Sequence, residues 1–122
     1  MEKFTKISCF EHNIDISRLK QGAAVIAQGA KKRTVDSFQL SVGDVGRGDH
    51  GAPFSGVFLE IPKRYKFFSD NKEYNIKIIS GSGYFKLNFG ELNFTAGDCF
   101  NCAGLGEFDI YGNTEVLIIS KK

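Results

Sequence analysis

The chain has 122 residues, enough for one domain around one core. Its 16 basic and 14 acidic residues leave a net charge of +2, and the cations are scattered rather than striped, so no nucleic-acid partner is expected. No apolar run reaches the roughly 18 residues that cross a bilayer, so no membrane partner is expected either.

The first residues, MEKFTKISCFEHN, lack the apolar core of a secretory signal. Three cysteines, an odd number, do not read as a disulfide framework. Together these point to a cytoplasmic chain. With 12 Phe, 14 Gly, two Pro and no Trp, short apolar runs punctuated by glycine predict an all-β domain.

Residues 4–10 read as a first strand, and 13–20 as a short helical turn or irregular arm. Residues 1–20 thus form an N-terminal strand and arm of a single domain spanning 1–122. The small apolar run 22–30 reads as a core strand. Lys31-Lys32-Arg33 reads as a solvated turn, and 34–42 as an alternating strand.

Residues 43–53, GDVGRGDHGAP, are too long and glycine-rich for a tight hairpin. Such a loop is where a barrel carries binding residues, here Arg47 and His50. Strands are predicted over 54–62, 63–70 and 73–80. Asp70-Asn71 turns the chain between the last two. Further turns are predicted at Gly81-Ser82-Gly83, Asn88-Phe89-Gly90, residues 95–98 and Gly112-Asn113, with strands between. About ten short antiparallel strands result, and Lys121-Lys122 are expected to fray.

The order of five short segments carries a resemblance. Ile78-Ile79-Ser80-Gly81-Ser82-Gly83-Tyr84-Phe85 comes first. Gly90-Glu91 and Ala96-Gly97-Asp98 follow. Ala103-Gly104-Leu105-Gly106 then leads into Phe108-Asp109-Ile110-Tyr111-Gly112-Asn113. In this the chain resembles the cupin superfamily of small jelly-roll barrels. Residues 97–120 are similar to the C-terminal cupin part of mannose-6-phosphate isomerases.

The resemblance implies a single-domain, all-β cupin-like jelly-roll barrel. In the family's metal-binding pattern the Glu slot falls on Tyr74, beside Glu73, and the first His slots fall among residues 66–70. Allowing a one-residue deletion, Cys102 takes a proline slot, Glu107 a His slot and Tyr111 an Asn slot. None of these positions is histidine. A divalent ion held by imidazoles is therefore not expected, and neither metal nor cofactor is carried over.

The expected function is binding of a small polar metabolite, a sugar, nucleotide or phosphorylated derivative, in the barrel mouth. Arg47, His50, Glu60, Tyr74, Glu107 and Tyr111 are its expected contacts. One alternative is a metal-independent sugar isomerase or epimerase using Glu107 or His50 in acid-base work. The other is a non-catalytic interaction or assembly module; such barrels pair through their sheets, so a homodimer is in view. Cys99 and Cys102, three apart on a strand, should point to opposite faces. Lys31-Lys32-Arg33 and Lys63-Arg64-x-Lys66 could also together bind an anion.

Overall fold

The computed structural model describes residues 2–38, 40–42 and 54–121. In chain order its elements are β1 (Lys3–Ile7), β2 (Glu11–His12), helix α1 (Ile16–Leu19), β3 (Val25–Ala27), β4 (Ala30–Phe38), β5 (Leu40–Val42), β6 (Phe54–Ile61), β7 (Arg64–Phe68), β8 (Tyr74–Leu87), β9 (Gly90–Thr95), β10 (Cys99–Ala103) and β11 (Glu107–Lys121). A nine-stranded sheet runs β1-β10-β8-β11-β6-β4-β3, with β7 added on β11 and β9 on β8; β2 and β5 pair separately. Every pairing is antiparallel.

Alternation sorts the side chains into two cores. Tyr74, Ile76 and Ile78 of β8, Val116 and Ile118 of β11, and Leu59 and Ile61 of β6 face inward. There they join Phe4, Phe85, Phe94, Phe100 and Phe108. The rings meet at centroid distances from 4.7 to 5.9 Å in tilted and edge-on contacts. The opposite face of the same strands holds a second cluster of Phe54, Phe58, Cys99, Leu117 and Ile119. The N-terminal arm covers it. Phe10 is fully buried there, and Ile14, Ile16 and Leu19 pack against it. Each fully buried Phe or Ile side chain contributes about 1.5–3 kcal/mol to folding.

Several expectations need correction. Gly81-Ser82-Gly83 and Gly112-Asn113 are not turns. They lie inside the two longest strands, which pair with each other through Gly83 and Gly112. A methyl at Gly83 would overlap the Tyr111 carbonyl, and one at Gly112, which has φ +135°, the Ser82 carbonyl. Glycine marks close approach of two backbones here, a role that composition cannot separate from turning. The Asp70-Asn71 turn does form, with both residues at positive φ (53° and 61°). Lys121 lies opposite Phe54 in the register of β11 with β6, and Lys122 lies outside the described residues.

Val25 and Ile26 are not core. They sit 67% and 65% exposed on the end strand β3. Arg33 is not in a solvated turn but on β4, and is 7% exposed. Finally, Cys9 and Cys99 form a disulfide across 90 residues of sequence. Pairing of Ile7 with Cys99 sets Cys9, two residues beyond β1, beside Cys99, at a Cα–Cα distance of 5.0 Å. The parity of the cysteine count carries no information about such topology.

Candidate functional site

Inside the barrel, Tyr74 and Phe67, which the cupin pattern sets in its first metal-ligand slots, are packing side chains. Phe67 and Phe108 are cross-strand partners on β7 and β11. Phe67 packs edge-on against Tyr74 at 5.1 Å, and tilted against Phe108 at 5.4 Å. Burial, chiefly, raises the Tyr74 phenol above its usual range, helped by the charge of Asp70. Cys102 lies beside them, fully buried, and burial pushes its thiol up to about 12. These residues do not fit a metal centre. The rings offer no donor, and the thiol resists becoming the thiolate that would ligate. Among the described residues no three of His, Cys, Asp and Glu converge. Cys99 and Cys102 do point to opposite faces, one in each apolar cluster.

The polar candidates of β11 lie outside. Glu107 is half-exposed and paired with Lys66 at 3.2 Å. Tyr111 stacks flat on Tyr84, with centroids 4.8 Å apart and planes within 8°. Arg64 covers the Tyr111 ring at 5.3 Å while holding Asp109 at 3.3 Å. Glu107 and Tyr111 thus share one outer face with the cations of β7.

Glu60 is also on an outer face, but in a separate cluster. It pairs with the Arg33 guanidinium, which further donates to Lys20 O at 2.9 Å and to Gly22 O at 3.3 Å. Lys20 bridges to Glu115 at 2.6 Å, and that hydrogen bond, foremost, raises its ammonium above the ordinary lysine value. Tyr74 alone of the four described candidates faces inward. Arg47 and His50 lie outside the described residues.

Two grooves flank the β3–β4 turn, where Gln28 and Gly29 take positive φ. One, of about 510 Å³, is lined by Gln28, Pro62, Lys63, Arg64, Lys66 and Phe68. The other, of about 280 Å³, includes Lys31, Glu60, Pro62 and Glu115. Gln28 closes the wall of the larger groove. Its Nε2 donates to Lys66 O and its Oε1 accepts from Lys66 N, both at 2.9 Å. The side-chain amide therefore stands in for a strand along the free edge of β7. No sequence pattern marks that role; the Gln28-Gly29 turn at the head of a β run is the one local sign. Phe68, 63% exposed, offers an open ring at the groove.

No family model matches the chain, and no curated protein matches it. Solved structures do. The mannose 6-phosphate isomerase of Bacillus subtilis superposes with a TM-score of 0.59 at 20% identity, over 80% of this chain and 27% of the isomerase. Streptomyces Pac13, a nucleoside dehydratase with structures containing uridine, gives 0.57 at 16% identity, over 83% of this chain and 76% of Pac13. Bacillus subtilis oxalate decarboxylase gives 0.58 at 16% identity, over 86% of this chain and 29% of the decarboxylase. The chain therefore spans less than a third of the isomerase or of the decarboxylase. At these identities the likeness is one of architecture, and it agrees with the sheet order and the inward aromatic core: the chain has a cupin-like, all-β fold.

Proposed function

We propose that this chain is a metal-independent, cupin-like binding protein for a small anionic metabolite, such as a phosphorylated sugar or a nucleotide. Its site is the outer groove beside β7, not the barrel mouth. One observation carries this reading: Lys63, Arg64 and Lys66 surround a concavity that also presents the open ring of Phe68. Cations suit a phosphate or carboxylate, and an exposed ring suits a base or the apolar face of a sugar. Arg64 and Lys66 already hold Asp109 and Glu107. Such exposed pairs are worth at most about 1 kcal/mol each, so an arriving dianion can displace them at little cost. Tyr111 and Glu107 then tune the site from beneath, through Arg64 and Lys66. No helix among the described residues is long and apolar enough to cross a membrane, and the reading keeps the chain in the cytoplasm.

The test is calorimetric titration with sugar phosphates, nucleoside monophosphates and their unphosphorylated parents, in the presence of a chelator. The phosphorylated members should bind and the parents should not, with Lys63→Ala/Lys66→Ala weakening binding about tenfold or more. Binding unchanged by that double substitution would place the site elsewhere. Silence from every compound class would remove the reading.

A second reading has one observation behind it. Val25 and Ile26 expose apolar side chains on an end strand, as an assembly module pairing through its sheets would. A concentration-independent monomer by light scattering, unaltered in Val25→Lys, would discard it.

A further inference from the structure

The disulfide, the edge strand β1 and the arm together form a unit unlike the rest of the molecule. In β1 only Phe4 is buried, and the strand ends the sheet path beside β10. The helix that follows has four residues, none buried. Beyond Phe10, the arm contributes only partly buried side chains. Its ion pairs, Lys6–Asp98 at 3.2 Å, Lys20–Glu115 at 2.6 Å and Glu11–Lys77 at 3.8 Å, each have a partner open to solvent and so hold it weakly. Lys77 Nζ donates to Phe10 O at 3.0 Å, and Arg33 donates to the carbonyls of Lys20 and Gly22. Such a segment belongs to the low-stability end of a fold, able to open without global unfolding. Cys9–Cys99 is its one covalent tie to the sheet.

The two sulfurs differ in access. Cys9 is exposed, and Cys99 is fully buried in the second apolar cluster. An attacking thiolate reaches Cys9 first.

We propose that Cys9–Cys99 is a reducible latch on residues 2–22. Opening it frees the edge of β10 and uncovers Phe54, Phe58, Leu117 and Ile119. The reductant is a dithiol. One of its thiolates bonds to the Cys9 sulfur, the Cys9–Cys99 bond breaks, and the Cys99 sulfur leaves as a thiolate that takes a proton. The second thiol then displaces Cys9 as a thiol and leaves the reductant as a cyclic disulfide. Two electrons and two protons pass to the pair. The latch is independent of the groove and of its ligand.

The experiment follows the full chain by hydrogen-exchange mass spectrometry and by trypsin cleavage at the exposed Arg18, with and without dithiothreitol. Reduction should speed exchange over residues 2–22 and cleavage at Arg18 by about tenfold or more, leaving β8 and β11 protected. Cys9→Ser should behave like the reduced protein in both buffers. Equal rates for the oxidised and reduced wild type would overturn the latch. So would loss of protection in β8 and β11 on reduction, which would make the bond a staple for the whole fold. A third readout is thiol-trapping mass analysis in a glutathione buffer of cytosolic reducing ratio. The latch requires an open bond there, and a bond that stays closed marks a permanent cross-link. Should Cys9→Ser fail to fold, the wild type under reductant still decides the outcome.

Discussion

Along β11 the inward side chains Phe108, Ile110, Val116 and Ile118 are buried among aromatic and aliphatic neighbours. The outward ones change character along the strand. Glu107, Asp109 and Tyr111 meet the cations of β7, Glu115 meets Lys20, and Leu117 and Ile119 lie beneath the arm. One face has given its volume to packing, and the other carries charge, concavity and a movable cover. In a barrel of this size the same strands cannot both fill the interior with rings and leave it polar. The binding proposed for the outer groove does not compete with this packing.

That division can be broken hardest at Phe85. The ring is fully buried and touches Phe4, Phe94, Phe100 and Phe108. Phe85→Ala should cost about 3–5 kcal/mol, read as a lowered urea midpoint with an unchanged slope. A cost below about 1 kcal/mol would mean that the interior collapses freely, and the contrast between the faces would fail.

Arg33 tests the outer face. It is buried, yet its partners are polar: Glu60 and the carbonyls of Lys20 and Gly22. Arg33→Ala should cost about 2–3 kcal/mol, somewhat below a fully buried pair because Glu60 retains some solvent contact. Arg33→Lys should recover little, since an ammonium cannot reproduce the guanidinium fork. Combining Arg33→Ala with Glu60→Gln should cost less than the sum of the two. Strict additivity would show that the pair is solvated and that Arg33 and Glu60 do not act together on the arm.

The strands of the second half were legible where alternation and turn residues agree, and were cut short at Gly81-Ser82-Gly83 and Gly112-Asn113, where glycine serves strand contact instead of a turn. Ile76 and Ile78 point inward as their spacing predicts, and Asp98 Oδ2 accepts from Thr95 N at 3.0 Å in the turn that Ala96-Gly97-Asp98 announces. The candidate site was less legible, for a geometric reason. Counting against a pattern with one deletion placed Glu107 where an inward ligand belongs, and a one-residue offset on a strand exchanges faces. Phe108 takes the inward position. The cations at 63–66 were visible as a run, but Gln28, which walls their groove, lies 38 residues away from Lys66 and acts through its amide alone. The disulfide was hidden for the same reason, since only the β1–β10 register brings its halves together.

The smallest expected effect concerns the edge of the cover. His12 sits in β2 with Lys77 and Glu11 as its charged neighbours. Burial, first, and then the Lys77 charge hold its imidazole below the ordinary value of 6.5, while Glu11 and the backbone of Ile14 pull the other way. A base with a lowered folded-state pKa binds fewer protons folded than unfolded. Its contribution is therefore complete above about pH 6.5 and is lost as pH falls from there through the folded value. Between pH 7.5 and 5.5 the urea midpoint should fall slightly, and exchange over residues 10–22 should rise. The chain's other histidine is His50, so the comparison that decides is His12→Gln, in which part of the pH slope should disappear. Parallel slopes in the two proteins would show that the arm does not sense His12, and would leave the disulfide and the Arg33 cluster as the groups that keep the outer core covered.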